Sequence, residues 1–573
     1  VERSTTVLKD RPWLSSYPVG VPANVEVPDE PVTAGLRRAA EQWPDRVAVD
    51  FLGASTTFAD LDERIRKASG ALRALGVQRG DRVALVMPNC TSHVVAFHAV
   101  LRLGAVAVEH NPTYTADELR HQLADSGATT ALVWQHVVGT VVDAQDGTDL
   151  RRVVSVDVSR DLPRASRVAL KLPVAKARQT REALTGPVPD GVPDWHRLVA
   201  KASPLDVQPP ASGDVALLQY TGGTTGTPKA AVLTHRNLVA NVVQGFTWAG
   251  FRQGEETVYG ILPFFHAFGL TFCLTLPGYI GATLVAFPQF DPASVVAAQR
   301  RRPATFLPGV APMFDRVLDA LDAASKKPAD GVRSIRVSFA GAMPISKATA
   351  DRWESATGGL LIEGYGMTEA SPIALGNPCS DRRRPGTLGL PFPSTDIRVV
   401  SQDDPTVDVS AEDDDTLRGE LLLRGPQVFQ GYWNRPEETE HQLLEGGWLR
   451  TGDVVVVEPD GWTTLVDRVK EMIIVGGFKV YPSQVEDHLR TMPGVQDVAV
   501  VGLPTDDGEE VAAALVMETG APTPDLAAVR AWAEQRLPRY ALPRSVHVLD
   551  DLPRSQIGKV LRRLVREKLL HRD

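Results

Sequence analysis

Between residues 218 and 237 the chain reads LQYTGGTTGTPKAAVLTHRN, and no other stretch gathers so many groups able to hold an anion. Thr221, Gly222, Gly223, Thr224, Thr225, Gly226 and Thr227 run into Pro228 and Lys229. Glycines lack Cβ, so the backbone can come close to an anion, and successive N–H groups with threonine hydroxyls can surround phosphate oxygens. Lys229 adds a mobile cation. The loop is not of the Walker A type, because Ala230 stands where that motif needs a Ser or Thr hydroxyl for Mg2+. A second stretch, LLIEGYGMTE at 360–369, places Gly364 and Gly366 on either side of Tyr365, whose ring can therefore lie flat on a purine face. Thr368 offers a hydroxyl to a phosphate, and Glu369 offers a carboxylate to a Mg2+ shared with the nucleotide. His266 sits in PFFHAFGL, and an imidazole among so many aromatics serves packing as readily as chemistry.

These groups need elements to hold them. The apolar run 215–218 before the Thr/Gly loop reads as a strand, and 230–233 after it as a second strand or a helix start. Upstream, 47–51, 56–58, 83–87, 105–108 and 130–133 read as strands, and 92–103 and 116–124 as helices. The spacing of Leu61, Ile65, Ala68, Leu72 and Leu75, stopped by Gly76, predicts a helix over 60–75. This alternation indicates an open α/β sheet with helices on its faces. Residues 333–339 read as a strand, and 389–457 as a β-rich region with a solvated acidic insertion at 402–415. From 472 onward a small α/β unit is expected, with a strand at 473–475, a helix at 482–491 and a strand at 495–501.

Two segments raise the question of a membrane. Residues 261–287 carry no Asp, Glu, Lys or Arg, but Pro263, His266, Pro277 and several glycines suit an irregular buried segment better than a bilayer helix. Arg160, Arg164, Arg167 and Lys171 fall at helical spacing, which leaves open peripheral contact with an anionic membrane or a solvated irregular insertion. Pro163 and Pro173 favour the insertion.

At 573 residues the chain exceeds one ordinary core and should hold two or more domains. Its 43% hydrophobic and 23% charged content is that of a soluble globular protein. A net charge of −9 argues against nucleic acid as a main partner. Cys90, Cys273 and Cys379 form no CxxC pair, so neither a disulfide framework nor a zinc site is expected, which fits a reducing, cytoplasmic setting. The opening VERSTTVLKDRPW has no apolar core of a secretory signal.

The 218–237 stretch resembles the phosphate loop of the adenylate-forming superfamily, usual form TSGTTGxPKG. Gly223 stands where that family usually has Ser, and Ala230 where it has Gly, which removes one hydroxyl and leaves four threonines to serve. The resemblance extends from about residue 44 to about residue 563, with five motifs in family order. Gly341 and Ala342 resemble the element whose backbone lies along adenine, and Glu363, Gly364, Tyr365 and Gly366 belong to the next nucleotide motif. In GWLRTGD, Asp453 resembles the ribose-binding acid; one carboxylate can accept from both ribose hydroxyls. In LVDRVKEMIIVGGF, Arg468 would reach ribose or phosphate and Lys470 occupies the hinge position. Gly476 and Gly477 would let a pantetheine arm pass close to backbone. Lys559, with Pro553, Gly558 and Arg562 at family spacing, resembles the C-terminal catalytic lysine. PFFHAFGL matches the aromatic motif at the mouth of the acyl pocket, which would put His266 on the route of the incoming thiol.

The resemblance implies an α/β protein of the acyl-CoA synthetase kind. A large N-terminal domain (1–469) would combine α/β subdomains with a β-rich one, and a small mobile C-terminal α/β domain (470–573) would carry Lys559. It implies a ligase that uses ATP, Mg2+ and CoA as co-substrate to activate a carboxylic acid as acyl-AMP. RPWLSSYPVGVP and the block from Val475 to Pro504 are similar to bacterial long-chain acyl-CoA synthetases, which implies a medium- or long-chain fatty acid. An aryl or short-chain acid stays open. Loading onto a carrier protein is disfavoured, because residues 470–481 show no insertion after the hinge. A degenerate binding protein would be expected to lose Lys559, Glu369, Asp453 or Arg468, and all four are present. Oligomeric state is not legible in the sequence.

Overall fold

In a computed structural model the apolar runs become three sheets and a smaller C-terminal α/β unit. The structure describes residues 8, 10–221, 228–324, 332–341, 345–412, 414–475, 478–505, 508–555 and 558–571.

The first sheet has six strands in the order Arg152–Val156, Thr130–Trp134, Arg82–Val86, Val106–His110, Val215–Tyr220 and Ala230–Thr234. All pairs are parallel except the last, which is antiparallel. Its central strands are Val/Leu-rich and buried on both faces, as parallel strands covered by helices must be. The helix expected at 60–75 runs Phe58–Ala74 and buries Leu61, Ile65, Ala68 and Leu72. Phe58, expected to end a strand, opens this helix instead, because the Thr57 side chain accepts the Asp60 N–H and caps it. The choice left open after the Thr/Gly loop resolves to a strand. Ala230–Thr234 pairs back on Val215–Tyr220, and a capping box of Thr234 and Asn237 then starts the helix His235–Ala249.

The second sheet has nine strands, with a parallel centre formed by Val47–Phe51, Thr283–Ala286, Thr257–Gly260, Phe306–Gly309, Val337–Ala340 and Leu360–Gly366. The strand expected at 333–339 begins only at Val337; residues 332–335 form a turn closed by Ile335 N–H on Val332 O. Residues 261–287 fold as a buried irregular segment: a short helix Ala267–Gly269, a π-helical turn Leu270–Thr275, a helix Leu276–Ile280 and the strand Thr283–Ala286. Among the described residues no helix is long and apolar enough to cross a membrane. The basic stretch does not form one amphipathic helix. It breaks at Pro163 and Pro173 into Arg164–Ala169 and Ala175–Leu184, as a surface insertion with Val168, Leu172 and Val174 exposed.

A third, antiparallel sheet joins Asp396–Val400, Leu417–Arg424, Trp448–Val457 and Thr463–Arg468. Beyond it, strands Val495–Thr505, Gly508–Met517 and Ser545–Val548 and helices Pro482–Leu489, Leu526–Ala533 and Arg562–Leu570 follow. Val485, Leu489, Val498, Val500, Leu515 and Val529 give this unit a core of its own.

Candidate active site

The base of the Thr/Gly loop is a hairpin closed by Thr221 N–H on Lys229 O at 2.8 Å. Gly222, Gly223, Thr224, Thr225, Gly226 and Thr227 lie outside the described residues, as do Ala342, Gly476 and Gly477. Lys229 emerges from the hairpin with its ammonium 5.3 Å from the centre of the Tyr432 ring and 3.9 Å from Glu438. The Tyr432 hydroxyl donates to Glu369 Oε1 at 2.6 Å. Glu369 is buried at the turn Thr368–Ala370, and burial raises its carboxyl above the usual range while the charges of Arg468 and Lys229 pull the other way. Among the described residues no three His, Cys, Asp or Glu side chains gather to hold a metal by themselves. Glu369 instead fits a Mg2+ that takes its remaining ligands from phosphates and water, since a cation beside it would offset the cost of a desolvated carboxylate.

Tyr365 lies on Leu360–Gly366, between Gly364 and Gly366. Gly366 must be glycine here, because a Cβ would lie 2.1 Å from the Pro372 carbonyl oxygen. The Tyr365 hydroxyl donates to Asp453 Oδ2 at 2.5 Å, and Arg468 Nε pairs with Asp453 Oδ1 at 3.1 Å. Asp453 and Arg468 face each other because Trp448–Val457 and Thr463–Arg468 pair in register at those two residues. The turn before Asp453 is braced by buried Glu420, which accepts from Arg450 at 2.7 and 3.1 Å and from the Gly452 N–H at 3.2 Å. The Glu363 carboxylate accepts the Gly386 N–H at 2.8 Å, and its carbonyl accepts the Asn377 N–H.

Lys559 follows Gly558, whose φ of +80° turns the loop, and its side chain enters this region from the C-terminal unit. The charges of Arg468, Glu471, Asp453 and Arg562 act on it, yet its ammonium forms no ion pair among the described residues. Burial, with the Arg468 guanidinium, lowers it to about 8. Lys470 is exposed in the short turn Val469–Glu471 between the two units.

His266 is half-buried and neutral at pH 7, burial having lowered it to about 4; its Nδ1 accepts the Phe268 N–H at 3.3 Å. Its loop is pinned to the first sheet. Gln219 Nε2 donates to Phe265 O at 2.7 Å, and Asn89 donates to Gly260 O and Leu262 O and accepts the Phe264 N–H. Because Gln219 stands two residues before Thr221, one strand end holds both the imidazole loop and the Thr/Gly loop. Gly341 abuts the same loop, where a Cβ would come within 2.8 Å of the Phe268 ring. Phe272 and Phe314, like Leu274 and Leu276, are core residues here.

The structure therefore brings Lys229, Glu369, Tyr365, Asp453, Arg468 and Lys559 to one region. Sequence reasoning missed Tyr432, Gln219, Asn89 and Glu420. Tyr432 alone carried a signal, an aromatic following Gly431 in QGYWN.

Residues 36–433 match the AMP-binding enzyme family, and residues 484–559 match the AMP-binding enzyme C-terminal domain. The chain is similar to the long-chain-fatty-acid–CoA ligase of Yersinia pestis, 36% identical over 568 residues that cover 98% of each chain. It also resembles ATP-bound MatB from Rhodopseudomonas palustris, with a TM-score of 0.78 and 27% identity over 94% of this chain and 99% of that one. Against apo MatB from the same organism the TM-score is 0.68, at 28% identity and the same coverage.

Proposed function

This chain belongs to the AMP-binding enzyme family, and on that premise we propose that it is an ATP-dependent fatty acid–CoA ligase acting on medium or long chains. The observation that carries the reading is the Lys559 ammonium. It is half-buried without an ion-pair partner among the described residues where the charges of Asp453 and Arg468 act on it, in the region that also holds Glu369 and Lys229. An unpaired, partly buried cation is costly unless an anion arrives to meet it.

In the first step a carboxylate oxygen attacks the α-phosphorus of ATP, the bond to the β-phosphate bridging oxygen breaks, and pyrophosphate leaves. Carboxylate and triphosphate repel each other in water, so the protein must position them and neutralise their charge. Lys559 bridges the carboxylate and α-phosphoryl oxygens, Lys229 and the loop from Thr221 to Thr227 hold the outer phosphates, and Asp453 and Arg468 hold the ribose. Tyr365 lies along the purine. Glu369 would hold Mg2+, which when bound draws charge from the phosphoryl oxygens.

In the second step the sulfur of CoA attacks the anhydride carbonyl, the bond to AMP breaks, and the thiol proton passes to solvent. Lys559 must then withdraw, and 470–573 turns about Lys470 as a body against 1–469, a motion of the lid kind. Neutral His266 lines the thiol's path. A cytoplasmic setting is supported by three free cysteines. Carboxylate-dependent ATP–pyrophosphate exchange over C2 to C18 acids, benzoate and cinnamate, followed by acyl-CoA detection, tests the reading. Best turnover between C8 and C18 supports it, and exchange with the aryl acids alone removes the fatty-acid assignment.

A further inference from the structure

Several hydrogen bonds in this structure join a residue before Lys470 to one after it. Asp467, on the last strand of the third sheet, is buried, and its Oδ2 accepts the Ser483 N–H at 2.8 Å. Ser483 is the second residue of the helix Pro482–Leu489, and Tyr481 at the N-cap position makes no side-chain cap. First-turn N–H groups have no partner within their own helix, so a carboxylate there both satisfies a donor and suits the helix dipole. Gln402 also donates to the Tyr481 hydroxyl at 3.2 Å, and Lys479 pairs with Asp403 at 3.0 Å, an exposed contact of small worth. The position of this helix is passed on to Lys559. Arg562, three residues beyond the lysine, donates to Ser483 Oγ at 3.1 Å and to Glu486 at 2.7 and 2.8 Å, and also binds Glu471.

We propose that Asp467 is a positioning residue whose carboxylate caps the helix Pro482–Leu489 from across the hinge and so holds Lys559 in the nucleotide site. A rotation at Lys470 large enough to withdraw Lys559 breaks the Asp467–Ser483 bond and uncaps the helix. The cap therefore stabilises only the adenylate-forming orientation. This rests on the function proposed above.

Asp467→Ala removes the cap, whereas Asp467→Asn keeps an acceptor oxygen of comparable capping strength. The expected result for Asp467→Ala is an ATP–pyrophosphate exchange rate lower by about two- to thirtyfold, the factor a lost cap represents. Conversion of supplied acyl-AMP and CoA to thioester holds or rises, and Asp467→Asn stays near wild type in both assays. Equal loss of both half-reactions, or unchanged exchange in Asp467→Ala, overturns the proposal. Should Asp467→Ala fold poorly, Gln402→Ala/Lys479→Ala severs the two other bonds across the hinge, and the same split at about twofold is expected; its absence overturns the idea. Pulsed dipolar distances between spin labels on the two units, with ATP present, separate this from the ligase reading. If wild type forms no acyl-AMP, the function fails. The cap stands or falls on whether Asp467→Ala alone changes that distance.

Discussion

Tyr432 holds Glu369: its hydroxyl donates to Oε1 at 2.6 Å across 63 positions of sequence, and the same ring lies under the Lys229 ammonium. Tyr432→Phe keeps the ring and removes the donor. A hydrogen bond to a charged group is worth about 1.5–3 kcal/mol, so the expected outcome is a rise of roughly tenfold or more in the KM for Mg-ATP. Exchange assays over a magnesium titration check it, with the melting temperature close to wild type.

Lys559→Ala should lower adenylate formation by at least about a hundredfold, the scale of losing one preorganised charge at a developing transition state. Thioester formation from supplied acyl-AMP should be nearly spared. Comparable loss in both half-reactions would contradict the role given to this lysine.

The acidity of Lys559 sets a direction for pH. Its ammonium, lowered to about 8, acts as a cation, so kcat/KM for ATP should be flat below that pH and fall about tenfold per unit above it. Lys559→Arg should move that limb beyond the range of the assay, because a guanidinium does not deprotonate there. A limb unmoved by this change would assign it to another group.

Lys470→Pro fixes φ at the proposed hinge. Acyl-AMP formation should persist and thioester formation should drop, measured as acyl-AMP accumulating in single turnovers with CoA present. An unaffected overall rate would remove the hinge assignment.

His98 predicts an acid sensitivity of the N-terminal body. It is buried among Leu36, Phe58, Leu61 and Val94, neither ring nitrogen has a partner among the described residues, and burial lowers it to about 4. Below the ordinary imidazole value of about 6.5 the unfolded chain binds a proton that the folded one refuses. Stability should therefore fall as pH drops from 6.5 to 4 and lose nothing more from this group below that. His98→Leu should recover about 3 kcal/mol of that fall. Urea unfolding at pH 7 and pH 4 measures the difference.

Much of this was written locally. The alternation of Val/Leu runs with amphipathic stretches is enough to read the first sheet, because burial on both faces demands those compositions. The boundary errors at Phe58 and Val337 arose where a cap and a turn, each a matter of one or two hydrogen bonds, outweighed the apolar pattern.

The sequence alone determined which chemical groups the site can draw on: Lys229 after its glycines and threonines, Tyr365 between Gly364 and Gly366, Asp453, Arg468 and Lys559 in order along the chain. Those features depend on neighbours a few residues apart. Tertiary structure alone decided who meets whom: Tyr365 with Asp453, Tyr432 with Glu369, Asp467 with Ser483, and the Lys559 ammonium with no ion-pair partner among the described residues. Such meetings depend on strand register and on how the larger and smaller units pack against each other. Both are set by packing summed over many distant side chains, which leaves no mark on any short stretch of sequence.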